Sequence, residues 1–507
     1  MKRFLFFVFF ATFLVQVGFA DNRQKDLSGI IAIKGELQQV YENYPTGTPV
    51  IIRKVVKMGP GSERTAGVYY AVEINGLQIP MPKENLKMIK LAPPETFSDF
   101  WQHIYLEQHL YEYFSETGYR TELRQEVDEE CLDYLNKLNG IAYKDDYITS
   151  YVQSIFAKLA ANNIDPNRIE RLNVRVIQSP DPDAYMLPNG SMLVSTGLLS
   201  TLDSEDELAA IIANEMAHYV LDHQINNIYR AERNVQRAAF WGSILAATAD
   251  AAFDVAYWND DDKALGIGAI ASIGSIATLV NVRVVDRLGM NYKVKQEISA
   301  DRIAEKLLAF RGFNPDGLSS ALSKITAYYD KQKRTNDLTR YGSIKNLQKR
   351  IEKIGEVQNL SNHPYLKATS DIVTFNAAMN LSDQRYQAAA QLIQKNIDNN
   401  LATDNDYVLL TKAEMALYNT NEINEKCLTL LQKAQELAGD SPNLDIYKQK
   451  ILLLLRMNKQ AKAADTLKEY ITLLSKFQEQ GASNEDKDWA AKEMGWGNQL
   501  LDKISRM

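Results

Sequence analysis

Residues 204–223 read SEDELAAIIANEMAHYVLDH, and the fold of the chain turns on how this stretch is parsed. Ser204 with Glu207 three residues later is the pattern of a capping box, which predicts a helix starting there. On that helix Asn214 and His218 are four residues apart, about 40° around the axis, and so share one face. Glu215 lies next to the first of them.

Two imidazoles at this spacing can grip one zinc ion from the same side. A Glu beside the first of them points near the open coordination position and can take a proton from bound water. Here the first position is Asn214, whose amide oxygen is neutral and a poorer zinc donor than an imidazole nitrogen. Metal affinity is therefore expected to fall by orders of magnitude. A third ligand has to come from elsewhere. Residues 296–301, QEISAD, put Glu297 and Asp301 on one helical face, so that Glu297 could ligate while Asp301 orients another ligand from behind. His223 lies five residues past His218, about 140° further round an unbroken helix, and reaches the same point only if the helix ends before it. His363, in SNHPY, lies well beyond these residues in the chain and would need a long return.

Two strands are expected ahead of the motif helix, at 172–178 and 184–196, with Pro188-Asn189-Gly190 folding the second into a hairpin. Residues 28–92 are β-rich: VIIRKVVKM at 50–58 and VYYAVEI at 68–74 have strand composition, separated by Gly59-Pro60-Gly61 and followed by Asn75-Gly76. With its ending IPMPKENLKMIKL, this region resembles an SH3-like barrel, read either as a small peptide- or wall-binding module or as a folded spacer. Residues 96–162 read as mostly helical. Their aromatic residues, Phe97, Phe100, Trp101, Tyr105, Tyr111, Tyr113 and Phe114, are expected in a core, and His103 and His109 are expected to be structural or exposed.

From about Ser370 the chain is helical with a repeat: LIQK at 392–395 recurs as LLQK at 430–433, and DTLKEY follows at 465–470. This spacing suggests tetratricopeptide-like stacking, with an irregular helical bundle as the other reading; either way a protein partner is the expected ligand.

Composition bounds the rest. The chain has 507 residues, 45% apolar and 24% charged, with a net charge of −7, which argues against a nucleic-acid partner. Residues 1–20 have the layout of a secretory signal: Lys2 and Arg3, an apolar run from Phe4 to Val17, then Gly18 and Ala20 before the expected cleavage at Asp21. Cys131 and Cys427 are expected as two inert thiols. The stretch 238–282 is Ala/Gly-rich. A helical hairpin packed on the domain that carries the motif helix, and able to touch a membrane, fits it better than two spans, which would put Asp250 and Asp254 in lipid.

Three stretches in order, AYMLPNGSMLVSTGLL at 184–199, SEDELAAIIANEMAHYVLDH at 204–223 and QEISADRIA at 296–304, give the chain a specific resemblance. They are similar to metallopeptidase family 48, the family of the HtpX and CAAX prenyl proteases, and most of all to its periplasmic quality-control members. The resemblance covers about residues 140–355. It implies an α+β, mainly helical, gluzincin-type core at 96–365, flanked by the small β module at 21–95 and the helical-repeat domain at 366–507. It implies Glu215 as general base and His218 and Glu297 as zinc ligands, with Asn214 where the first ligand His belongs. Asp301 falls in the second shell, and the strand of Ala184, Tyr185 and Met186 is the edge that pairs with extended substrate. A second departure lies at GSIKNLQKRI, 342–351, where relatives carry His-Pro before the Arg-Ile matched by Arg350-Ile351; this chain has Ile344-Lys345.

Three readings follow. In the first, the chain is a secreted, periplasmic pseudopeptidase, chaperone or adaptor on envelope or unfolded polypeptides, with zinc weak or absent. In the second it is an active zinc endopeptidase in which Glu215 activates water. In the third it is a scaffold working through its C-terminal helices.

Overall fold

The computed structural model describes residues 24–26, 31–58, 67–111, 118–160, 171–232, 288–334, 341, 343–355, 357–439, 442–479 and 483–506. The signal segment expected at 1–20 and the Ala/Gly-rich stretch at 238–282 lie outside them. Among the described residues no helix is long and apolar enough to cross a membrane.

The chain is mainly helical, with a small antiparallel sheet at its N-terminal end. That sheet is built from β1 (Gln24–Asp26), β2 (Ile33–Leu37), β3 (Pro49–Met58), β4 (Gly67–Ile74), β5 (Leu77–Pro82) and β6 (Ile89–Leu91). Its order is β5-β4-β3-β2-β6, with β1 also on β3. Asn75 and Gly76, both at positive φ, make the tight β4–β5 turn that their sequence signals. A short 3₁₀ helix, Lys83–Met88, returns the chain to β6, which closes against β2.

Helices α1 (Phe97–Glu107), α2 (Gly118–Lys137) and α3 (Asp146–Leu159) follow. Phe100, Trp101, Tyr105 and Tyr111 are buried as expected and Phe97 packs half-buried against the same core, while Tyr113 and Phe114 lie outside the described residues; His109 is exposed. Next come β7 (Asn173–Ile177), β8 (Ala184–Met186) and β9 (Ser191–Ser195). β7 runs parallel and β8 antiparallel to β9, which leaves β8 at an edge. Gly190, at φ 89°, makes the β8–β9 turn.

The motif stretch lies at the centre. After α4 (Thr196–Thr201), helix α5 (Glu205–Val220) starts from the expected capping box, Ser204 with Glu207. Every residue of α5 from Glu207 to Val220 is buried, as expected of a helix wrapped on all sides. It packs against α7 (Val294–Arg311), α8 (Gly317–Lys331), α3 and β8. Small residues permit the close approach. A Cβ on Gly317 would stand 2.4 Å from the carbonyl oxygen of Asp206, so α8 can begin there only with glycine. Helix α6 (His223–Glu232) follows α5 after a break, and α9 (Ile344–Ile354) lies beyond α8.

The last seven helices are α10 (His363–Ser382), α11 (Tyr386–Asp398), α12 (Asp404–Leu417), α13 (Asn421–Ala438), α14 (Leu444–Arg456), α15 (Gln460–Glu479) and α16 (Asn484–Ser505). Each packs on the next. The recurring LIQK, LLQK and DTLKEY stretches fall on α11, α13 and α15, so the repeated unit is a pair of helices. Small apolar clusters follow one another along this array, as local stacking requires.

The array is not a separate body at its start. One apolar cluster runs from Ile31 through α1, α3, α5, α7 and α8 to Tyr365 and Ile372 of α10. Asn376 of α10 accepts from Thr196 at 2.9 Å and donates to Ser200 at 2.6 Å. Lys395 donates to the carbonyls of Ser200 and Leu202, at 2.7 and 2.6 Å, capping the C-terminal end of α4. Asp181, just ahead of β8, binds both Arg334 and Arg385, at 2.5 and 2.9 Å. Cys131 and Cys427 are free and buried, and burial pushes both thiols up, Cys427 to about 11.

Candidate functional site

Four elements bring the site together: α5, the start of α6, α7 and α9. Asn214 and His218 lie one turn apart on the buried helix α5, with Glu215 next to Asn214. Glu297 and Asp301 lie one turn apart on α7, and both are buried. The expected shared faces therefore meet across the α5–α7 contact.

Asn214 Nδ2 donates to Asp301 Oδ1 at 2.8 Å. Asp301 thus holds the side chain that occupies the first-ligand position. Arg350, 1% exposed on α9, completes the carboxylate network. Its Nε and Nη2 form a fork on Asp301, at 2.9 and 2.7 Å. Its Nη1 lies 2.9 Å from Glu297 Oε2. One guanidinium therefore serves two buried carboxylates, and the planar fork is the geometry that makes such pairs strong.

His218 is fully buried, and both ring nitrogens are engaged. Nε2 lies 3.3 Å from Glu297 Oε2, and Nδ1 lies 3.0 Å from Nδ1 of His223. Tyr292 stacks on the His218 ring, 3.6 Å between centroids and 21° between planes. Burial lowers His223 to about 4 despite the opposing pull of Glu297 and Asp222, so its imidazole is neutral at pH 7. Assigned from this network, the consistent pattern has His223 donating to His218 and His218 donating in turn to Glu297.

The presence of His223 departs from the expectation for an unbroken helix. α5 ends at Val220, and Asp222 takes a left-handed conformation at φ 58°. Its carboxylate is pinned by Arg124 of α2 at 2.6 Å, with both side chains buried. That break swings the next residue back onto the ring of His218. No glycine marks the position; the signal is an Asp, a residue type that tolerates the left-handed region. Tyr292 and Arg350 are the other site residues whose roles only the tertiary structure shows. His363 is exposed at the start of α10.

Glu215 faces the edge strand. Its Oε2 accepts from the backbone N–H of Met186 at 3.1 Å, and Gln224 donates to the carbonyl of Met186 at 3.1 Å. Ala184, Tyr185 and Met186 are at the sheet edge as expected, but they are buried, and both backbone polar groups of Met186 are already taken by side chains. An incoming extended chain would have to displace Glu215 and Gln224 to pair there.

These contacts bear on a metal. Three lone-pair donors must converge on one point to hold zinc from the protein side. Asn214 turns an N–H toward Asp301, His218 sets its Nε2 against Glu297, and Glu297 faces the Arg350 cation. His223 meets the opposite nitrogen of the His218 ring. Among the described residues no group of three His, Cys, Asp or Glu side chains is placed to hold a metal ion. The donor set as arranged does not fit a three-ligand zinc site. Ile344 packs against the apolar core at the start of α9 and Lys345 is exposed; what α9 contributes to the site is Arg350.

Comparison with known proteins agrees with the architecture. Residues 148–368 match the model of Peptidase family M48. The chain is 34% identical over 89 residues to the mitochondrial metalloendopeptidase OMA1 of Bos taurus, covering 16% of this chain and 17% of that protein. It is 26% identical over 169 residues to the metalloprotease LoiP of Escherichia coli, covering 33% and 56%. It is also 26% identical over 202 residues to the β-barrel assembly-enhancing protease of Escherichia coli, covering 38% and 36%. The chain thus spans less than two thirds of the length of each of these relatives.

Proposed function

Because residues 148–368 form a peptidase family M48 domain, we propose that the chain is a degenerate member of that family which binds polypeptides rather than hydrolysing them. In this reading it is exported across the inner membrane and works in the periplasm on envelope or unfolded polypeptides, as a chaperone or adaptor. The N-terminal sheet is an SH3-like module and the C-terminal array a tetratricopeptide-like one, carrying the protein partner. The observation that carries the reading is the bond from Asn214 to Asp301: at the position of the first metal ligand stands an amide whose N–H is committed to a buried carboxylate.

The surrounding groups act consistently with it. Arg350 pairs with both Glu297 and Asp301, placing a positive charge between the carboxylates that a divalent cation would otherwise balance. Glu215, a general base in the family pattern, instead caps the edge strand through Met186. The name of one relative, the β-barrel assembly-enhancing protease of Escherichia coli, supports an envelope setting.

The test is metal content and casein cleavage by the purified mature protein, beside the variant Asn214→His. The reading expects less than one-tenth of an equivalent of zinc and no chelator-sensitive cleavage in the unmodified protein. Stoichiometric zinc with chelator-sensitive cleavage would overturn it in favour of an active endopeptidase. Gain of both by Asn214→His would place the loss at that one residue. Gain of neither would place it also in the α9 segment that carries Ile344 and Lys345.

A further inference from the structure

Helices α13, α14 and α15 enclose a cavity of about 530 Å³, far from α5 in the chain. Each helix gives it one stripe. Leu428, Leu431 and Gln435 recur at helical spacing on α13, and Ile446, Lys450 and Leu454 at i, i+4 and i+8 on α14. Lys462 and Thr466 do the same on α15. Leu431, Ile446 and Leu454 are buried and form an apolar floor.

The rim is basic. Lys450 and Lys462 are exposed, and among the described residues neither has a carboxylate within ion-pair distance. Lys459, beside them, is held by Glu425 at 3.0 Å. Asp465 is the single acid in the lining, and it lies 3.6 Å from Lys468. In a chain with 64 acidic and 57 basic residues, two uncommitted ammonium groups over an apolar floor reverse the prevailing sign locally. Gln432 and Gln435 add amides at the wall, Gln432 donating to Glu436 at 3.5 Å and Gln435 bonded to Tyr447, which fixes their orientation. The volume is that of a cleft filled by a few side chains.

We infer that this groove binds an extended acidic-apolar peptide segment, with an apolar side chain on Leu431, Ile446 and Leu454 and a carboxylate between Lys450 and Lys462. The inference deepens the partner-binding role proposed above for the C-terminal array and rests on that reading, but not on whether the peptidase half cleaves.

The experiment uses the full mature chain and a fluorescein-labelled peptide of sequence Asp-Val-Glu-Leu-Asp-Val-Glu-Leu. Its control peptide has Asn and Gln in place of Asp and Glu. Binding is read by fluorescence anisotropy for the unmodified chain, for Lys450→Glu/Lys462→Glu and for Glu215→Gln. The double variant changes exposed side chains only, and matching circular dichroism and melting curves would certify its fold. The expected result is saturable binding of the acidic peptide that weakens at least tenfold in the double variant and falls with added salt. Equal binding of the acidic and neutral peptides would overturn the proposal, as would equal binding by the double variant or no binding at millimolar peptide. Binding lost in Glu215→Gln but kept in the double variant would move the peptide to the peptidase half. That outcome would refute the groove while leaving the proposed polypeptide-binding function intact.

Discussion

Replacing Arg350 by Met removes one cation from between two buried carboxylates. The fork on Asp301 and the contact to Glu297 are all 2.9 Å or shorter, and the three side chains are 1%, 5% and 6% exposed. Breaking a buried ion pair by removing one partner costs about 3–5 kcal/mol, because the stranded charge keeps its desolvation penalty. Asp301 retains Asn214 and Glu297 retains His218, which places the expected loss toward the lower end. With a urea slope of about 2–3 kcal/mol/M for a chain of this size, the midpoint should fall by about 1 M or more. Neutralising all three groups at once, in Glu297→Gln/Asp301→Asn/Arg350→Met, should recover most of that loss, since an uncharged set strands nothing. Added salt should not reproduce the effect, because buried pairs are poorly screened. A midpoint shift below about 0.3 M in the single variant, or a triple variant no more stable than the single, would refute the account of Arg350 as the balancing cation.

Two further outcomes follow from the packing around the site. Asp181 and Asp203 are raised by burial, but Arg334 with Arg385, and Lys395 with Lys324, more than offset this, so both carboxyls titrate below the ordinary value of 3.8. A folded-state value below the unfolded one contributes stability that is complete above the unfolded value and is lost as pH falls through the folded one. The melting temperature should therefore drop below about pH 4, and the penalty of Arg385→Gln should be present at pH 5–7 and shrink below that pH; a penalty independent of pH would contradict it. Gly317→Ala should cost at least about 1–3 kcal/mol in urea denaturation, because its Cβ would meet the backbone of Asp206 rather than a movable side chain.

Much of the site was readable along the chain. Ser204 and Glu207 announce α5 through local hydrogen bonding alone, and the four-residue spacing of Glu297 and Asp301 needs only helix geometry. The β8–β9 turn is carried by Gly190, and the helical pairs by their recurring stretches. What could not be read depends on partners distant in sequence. The break at Asp222 is held by Arg124 of α2, and without it His223 would point away from His218. The stacking of Tyr292 and the reach of Arg350 likewise depend on how α7 and α9 settle against α5. That Gln224 and Glu215 occupy Met186, on the edge expected to pair with extended substrate, is also set by distant partners. No local pattern announces which side chain will fill a backbone group from across the fold.

The first helix of the array carries a consequence for how such a chain can be rearranged. Tyr365 and Ile372 lie in the same apolar cluster as α5, and Arg385, at the following corner, grips Asp181 on the approach to β8. A cut placed between α9 and α10 would not separate two modules; it would take a wall out of one and leave an apolar face on the other. Among the described residues the helices from α12 onward make their main contacts with those one or two places along the array, so units there can be added, deleted or exchanged as beads on a string. α10 and α11 are the fixed socket on which that string hangs.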